Sequence, residues 1–106
     1  MIIRVAATLV VLAFSSMAIA QQPEISQGTY TTSHSKDECL SETETALDSA
    51  GFKSEQKKRG SRFEGENGDY KAQVNCSDSS ATVVVTGPER RQAIAYRREI
   101  GDSLKE

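Results

Sequence analysis

Apolar and polar residues alternate along residues 70–76, and this alternation predicts the central strand of the domain. One face carries Tyr70, Ala72, Val74 and Cys76, and the other carries Lys71, Gln73 and Asn75. A period of two with one polar face is typical of a strand that is buried on one side. Turn-forming residues 78–80 follow, and the β-branched run 82–86 predicts a second strand that pairs with the first.

A helical period replaces the strand period over residues 36–50. The sequence Ser35-Lys36-Asp37-Glu38 matches a capping box, in which the serine and the glutamate each bond to a backbone amide of the other. Gly51 is suited to the position after the helix, and Phe52 to an apolar contact with the last turn. The residues at helical spacing that predict the inner face are Cys39, Leu40, Thr43, Ala46, Leu47 and Ala50.

The stretch between this helix and the central strand is polar and contains two turn signals. They are Arg59-Gly60-Ser61 and Asn67-Gly68, and they predict strands over residues 52–58 and 61–66. Asn67-Gly68 favours a type I′ hairpin turn, because that turn needs positive φ at both central residues.

The remaining elements lie at the two ends of the domain. β-forming residues predict a first strand over 28–32, after a flexible polar leader over 21–27. Pro88 is suited to the first turn of a last helix, whose apolar face includes Ala93 and Ile100. The order β-α-β-β-β-β-α therefore predicts a single α+β domain over residues 28–106. We expect an antiparallel sheet of four to five strands with both helices on one face.

Residues 1–20 have the features of a secretory signal peptide. Arg4 precedes the apolar run 5–14, and Ala18-Ile19-Ala20 places small residues where a signal peptidase reads them. The apolar run is about half the length that a membrane span needs. We therefore expect a periplasmic or secreted protein that has no membrane span after cleavage. The alternative is an uncleaved anchor.

The chain contains two cysteines, Cys39 and Cys76. In an oxidising compartment, two thiols in one small domain usually form a structural disulfide, and we predict this pairing. The alternatives are free or intermolecular thiols, or else a redox or metal-binding thiol pair. The redox or metal-binding pair lacks support, because there is no Cys-x-x-Cys spacing and His34 is the single histidine. We therefore predict no metal site and no cofactor.

Basic residues gather at two places in a chain of net charge −2. The first group is Lys57, Lys58, Arg59 and Arg62, and the second begins at Arg90 and Arg91. The first group is either a solvated, guarded sheet edge or a contact for acidic lipid headgroups, polyanionic glycans or an acidic protein. The second is either paired with nearby acidic residues or a docking site for phosphate or carboxylate. The mildly acidic balance argues against nucleic acid as a partner.

No catalytic motif is evident in the sequence. His34 lies between Ser33 and Ser35 and close to Asp37, but no Gly-x-Ser-x-Gly context accompanies them. We therefore predict a non-catalytic binding module, an inhibitor or accessory subunit for an envelope or secreted protein. The alternatives are a small hydrolytic enzyme and a carrier of a metal or small ligand. The oligomeric state stays open.

Several framework features of residues 35–100 resemble a group of small, uncharacterised secreted proteins of proteobacteria. They are a cysteine on a helix at Cys39, a Gly-Asp-Tyr strand start at 68–70 and a closing Val-x-Val-x-Gly-Pro at 83–88. The resemblance implies an exported α+β domain with one disulfide. It implies no activity, substrate or catalytic residue.

Overall fold

A computed structural model describes residues 23–105, so the predicted signal peptide lies outside the described residues. The elements are β1 (Glu24–Thr31), α1 (Lys36–Ser49), β2 (Ser54–Arg59), β3 (Arg62–Asn67), β4 (Tyr70–Cys76), β5 (Ser80–Gly87) and α2 (Arg90–Leu104). The strands form one antiparallel sheet in the order β1-β5-β4-β3-β2. This arrangement confirms the predicted α+β class and the order of its elements.

Both helices pack on the same face of the sheet, and the core lies between the two layers. Helix α1 lies on β3 and β4, α2 lies on β1 and β5, and the helices contact each other. In β4 and β5, the residues that the helices cover most fully are Ala72, Val74, Cys76, Ala81, Val83 and Val85, all of them buried. These residues alternate with more exposed ones, so the predicted two faces of β4 are confirmed.

The disulfide between Cys39 and Cys76 joins the first turn of α1 to the end of β4. Their Cα atoms lie 5.9 Å apart, and both residues are buried in the core. Thr43, one turn further along α1, donates its hydroxyl to the Cys39 carbonyl oxygen at 2.7 Å. That hydroxyl also lies 3.6 Å from Cys76 Sγ. The predicted pairing is confirmed, and it links the two layers covalently.

Helix α1 begins and ends as the sequence predicts, within one residue. The Glu38 amide donates to Ser35 Oγ at 3.3 Å, and the Ser35 amide donates to Glu38 Oε1 at 3.1 Å. At the other end Gly51 has a φ of +91°, and the Phe52 amide donates to the Leu47 carbonyl oxygen at 2.8 Å. This 6→1 bond closes the helix and turns Phe52 into the core.

Replacing Glu38 with glutamine is expected to remove a pH-dependent part of this cap. The hydrogen bond from the Ser35 backbone amide lowers the pKa of the Glu38 carboxyl below its ordinary value of 4.5. A lowered folded-state pKa adds stability above the unfolded pKa, and that stability is lost as pH falls through the folded pKa. Glutamine keeps the bond but does not titrate.

The measurement is the melting temperature of wild type and Glu38→Gln from neutral pH downward. We expect a constant difference down to about pH 4.5 and a shrinking difference in more acidic buffer. A difference that is the same at every pH would contradict this role for the Glu38 charge.

Strand β1 begins four residues earlier than predicted. Residues 24–27, which we expected in the flexible leader, pair with residues 87–84 of β5. Their polar composition argues locally against a strand, but the exposed edge of β5 provides a partner. Ser26 points to the helix side, where its hydroxyl accepts a hydrogen bond from Arg97 Nε at 3.0 Å. A tertiary contact therefore extends the strand.

The β3–β4 turn is centred on Gly68-Asp69, so the predicted type I′ turn at Asn67-Gly68 is wrong. Asn67 pairs with Tyr70, and Gly68 has a φ of +58° while neither neighbour has positive φ. Glycine at the first central position is the requirement of a type II′ turn. The Asn67 side chain explains the shift. Its Nδ2 atom donates to the Ala50 carbonyl oxygen and to Tyr96 Oη, both at 3.3 Å.

The start of α2 also differs from the prediction. Glu89 is the N-cap residue, and Pro88 precedes it instead of lying in the first turn. The Glu89 amide donates to Tyr70 Oη at 3.3 Å. This bond holds the chain extended for one residue beyond Pro88, and the helix begins at Arg90.

Candidate binding surface

The sheet face opposite the helices carries no other element of residues 23–105. We call it the open face. The strand register arranges its side chains in three rows that run across the five strands. The first row is Thr29, Thr82, Asn75, Arg62 and Arg59. The second is Gln27, Val84, Gln73, Glu64 and Lys57. The third is Ile25, Thr86, Lys71, Glu66 and Ser54.

Charge divides the open face into two halves. The half formed by β1 and β5 is uncharged, and Ile25 on it is 65% exposed. The half formed by β4, β3 and β2 carries four basic and two acidic side chains. We call its four basic residues, Lys57, Arg59, Arg62 and Lys71, the basic corner. The formal charge of this half is therefore positive, although the whole chain is acidic.

Glu64 lies at the centre of the basic corner and forms ion pairs with two of its four residues. The residue is only 8% exposed. Its Oε2 atom lies 3.2 Å from Arg62 Nε, and its Oε1 atom lies 3.5 Å from Lys71 Nζ. Lys57 lies directly opposite Glu64 on β2. A carboxylate that is this buried needs its cationic neighbours, and it holds them in place in return.

The predicted basic residues separate into three locations. Lys57, Arg59 and Arg62 lie together on the open face, but Lys58 pairs with the buried Phe63 and is therefore on the helix side of β2. Arg90 and Arg91 are exposed at the start of α2. That helix start bonds to the first residue of β4, whereas Arg62 pairs with Asn75 near the end of β4. The two basic groups therefore lie at opposite ends of the sheet.

Arg97 has a structural use that the sequence did not indicate. Its Nη1 atom donates to Tyr30 Oη at 2.7 Å, and its Nε atom donates to Ser26. Its side chain also lies against Gly28 of β1. Among residues 23–105, no carboxylate lies within ion-pair distance of Arg97. The predicted pairing of the α2 arginines with acidic neighbours therefore does not hold for Arg97. Its hydrogen bonds instead connect α2 to β1.

The sequence placed Lys71 on the polar face of the sheet, a broad surface for a partner, but it did not indicate Glu64 as a member of the site. The alternation of β4 places Lys71 on the open face, but β3 has three consecutive buried residues at 63–65, so its burial does not follow a period of two.

The contact between Lys71 and Glu64 depends on the β3–β4 register, and that register follows from the turn at Gly68-Asp69. The turn predicted at Asn67-Gly68 would pair Glu64 directly with Lys71, whereas the observed register pairs Glu64 with Gln73 and Lys71 with Glu66. The misplaced turn therefore does not explain why Glu64 was missed. The sequence could not indicate that Glu64 is only 8% exposed.

The open face offers binding chemistry of a limited kind. Every aromatic residue of the range 23–105 lies on the helix side, where Phe52, Tyr70 and Tyr96 pack edge to face. The open face therefore lacks the stacking platform that single-stranded nucleic acids use. Its guanidinium and ammonium groups suit carboxylates on a partner.

The other predicted alternatives rest on residues outside the open face. The Ser35 hydroxyl accepts the Glu38 amide as the helix cap, so a nucleophilic Ser35 would have to leave the cap. Within residues 23–105, no three side chains of His, Cys, Asp or Glu are grouped closely enough to hold a metal ion. No helix of the same range is long and apolar enough to cross a membrane.

Comparison of the chain with protein-family models, with curated proteins and with solved structures found no match. The resemblance to small secreted proteobacterial proteins therefore stays a prediction.

Proposed function

We propose that this chain is an exported, non-catalytic binding module that docks an acidic protein of the cell envelope or the secreted fraction on its open face. The observation that carries the proposal is the basic corner. Three of its residues surround a buried glutamate, and a positive half-face stands on a domain of net negative charge. Such a local field attracts an acidic partner without making the whole protein basic.

A protein fits this surface better than a polyanionic glycan or a lipid headgroup layer. Glu64 and Glu66 interrupt the basic residues, and the neighbouring half-face is uncharged. The negative charges of a uniform polyanion would be repelled by those two carboxylates. A folded partner with its own pattern of acidic and polar groups can match them. The proposed role is therefore that of an inhibitor or accessory subunit, in which the disulfide supports a small core.

The export part of the proposal has a direct test. The full chain is produced with its leader in an exporting host, and its intact mass is measured after alkylation under non-reducing conditions. We expect a product that begins at Gln21 and carries no alkylated cysteine. A product that retains residues 1–20, or one in which Cys39 and Cys76 both react, would contradict export with a closed disulfide.

The binding part is tested with two variants that remove the same amount of positive charge. Lys57→Gln/Arg59→Glu changes the basic corner, and Arg90→Glu/Arg91→Gln changes exposed residues at the other end of the sheet. We expect the first variant to weaken binding of a stoichiometric acidic partner from envelope extract by about tenfold, with loss in high salt. The second variant should bind like wild type. Equal binding by both variants, or no partner at all, would overturn the proposal.

A further inference from the structure

The two edges of the sheet are built differently. Strand β2 has an irregularity between Ser54 and Lys57, where Glu55 takes a φ of +52°, and the strand ends in three consecutive basic residues. Bulges and edge lysines are the features that stop one sheet from pairing with another. Strand β1 has neither. It pairs with β5 in unbroken register from Glu24 to Thr31, and Glu24 is its only charged residue.

The backbone of β1 leaves a regular set of groups at the free edge. The Thr32 amide donates to the Ser79 carbonyl oxygen at 3.0 Å, in register with the β1–β5 pairs. Antiparallel strands bond to each neighbour through alternate residues. The even-numbered residues of β1 therefore bond to β5. The N–H and C=O groups of Ile25, Gln27, Thr29 and Thr31 point away from the sheet.

We infer that β1 is a dimerisation edge and that its occupant is β1 of a second copy of this chain. A two-fold axis through Gly28 places Ile25 opposite Thr31 of the second copy and Gln27 opposite its Thr29. Because each of these pairs joins two odd-numbered residues, every outward N–H group of one strand meets an outward C=O group of the other. The result is one continuous antiparallel sheet.

Side chains along β1 are compatible with this self-pairing. On the open face the opposed pairs are uncharged, and Thr31 of the second copy would cover Ile25, which is 65% exposed in the monomer. At the axis, Gly28 meets Gly28 of the second copy, where antiparallel backbones approach most closely. A strand with like charges at these positions would be repelled.

The position of α2 is compatible with the same dimer. Helix α2 lies on β1 and β5 alike, so its axis runs about half a strand spacing inside β1. Across the two-fold axis, the two α2 helices would be about 10 Å apart, which is the distance at which helices pack. Arg97, the middle residue of α2, lies over Gly28. The axis would therefore align the two helices along their whole lengths.

Arg97 predicts the salt dependence of the dimer. Its guanidinium is held over Gly28 by Tyr30 and Ser26, so two such groups approach each other near the axis. Salt screens like-charge repulsion, and dimerisation should therefore strengthen as ionic strength rises. Binding of an acidic partner at the basic corner should weaken in the same series. The edge leaves the basic corner free, so either proposal can fail without the other.

Amide hydrogen exchange tests the pairing directly. The exported protein is compared at micromolar and millimolar concentration. We expect the Ser26, Gly28 and Tyr30 amides to be protected at both concentrations, because they bond to β5. The Gln27, Thr29 and Thr31 amides should become protected only at the higher concentration. Fast exchange of these odd-numbered amides at millimolar concentration would overturn the inference.

Two variants with charged residues at the exposed positions Gln27 and Thr29 test the pairing by mutation. Gln27→Lys/Thr29→Lys places like charges opposite each other twice in the dimer, and sedimentation should show a dissociation constant raised about tenfold. Gln27→Glu/Thr29→Lys changes the same residues but places opposite charges together, so dimerisation should return to the wild-type level or better. A dimer that both variants leave unchanged would have to use another surface, and this would also overturn the inference.

Discussion

Removing the disulfide with Cys39→Ala/Cys76→Ala is expected to lower the melting temperature by about 15 to 30 °C. The bridge spans 37 positions of the chain. In the chain-entropy model, closing a loop of that size stabilises the folded state by about 4 kcal/mol. Domains of this size have a total stability of about 5 to 10 kcal/mol, so the loss would be a large fraction of it.

The position of the bridge supports an effect of this size. It joins α1 to β4, and both sulfur atoms are enclosed by the core next to Thr43. Alanine at both positions leaves small apolar side chains and no free thiol. Thermal unfolding of the wild type in a strong reductant is the matched control, and it should approach the variant's melting temperature. The variant itself should not respond to the reductant. A fall of only a few degrees in the variant would contradict the prediction.

Replacing Gly101 with alanine should destabilise the domain by about 2 to 4 kcal/mol. In an ordinary helix position the same change stabilises by about 1 kcal/mol, because alanine is the better helix former. Here the aromatic ring of Tyr30 lies against the helix backbone. An alanine Cβ would collide with Tyr30 Cζ and Cε1. The Tyr30 hydroxyl accepts a hydrogen bond from Arg97, and a displacement of the ring would disturb this bond.

A double-mutant cycle separates this contact from a general effect on the helix. In a Tyr30→Ala background, Gly101→Ala should become neutral or stabilising, so the two changes should couple by about 1 to 3 kcal/mol. Ser103→Ala, at an exposed position of the same turn, should change the free energy of unfolding by less than about 0.5 kcal/mol. Additivity of the two changes in chemical denaturation would show that Tyr30 does not impose the glycine.

The features that the sequence predicted correctly are those set by local chemistry or by a simple period. The capping box at Ser35 and Glu38 is complete within four residues, and Gly51 with Phe52 closes the same helix. The two faces of β4 follow from alternation alone. The disulfide followed from there being two cysteines in a chain whose first residues predict export.

The features that the sequence did not predict depend on partners far along the chain. Asn67 suits a type I′ turn locally, but its amide bonds to Ala50 and Tyr96 and keeps it in the strand. Residues 24–27 have little strand preference of their own and pair because the edge of β5 is available. The burial of Glu64 needs Arg62 from its own strand and Lys71 from the next. Composition alone did not distinguish the basic corner from Arg90 and Arg91.

The strand order has a consequence for how the chain could be divided. The turn at Gly60 is exposed, and it separates β1, α1 and β2 from β3, β4, β5 and α2. β1 and β2 are the two outer strands of the sheet. The segment before Gly60 therefore flanks β5, β4 and β3, which belong to the segment after Gly60, on both sides. The disulfide crosses the same division. A single cut by a protease at Gly60 would therefore leave two fragments that stay associated through strand pairing and the disulfide. The domain should keep its fold after such a cleavage.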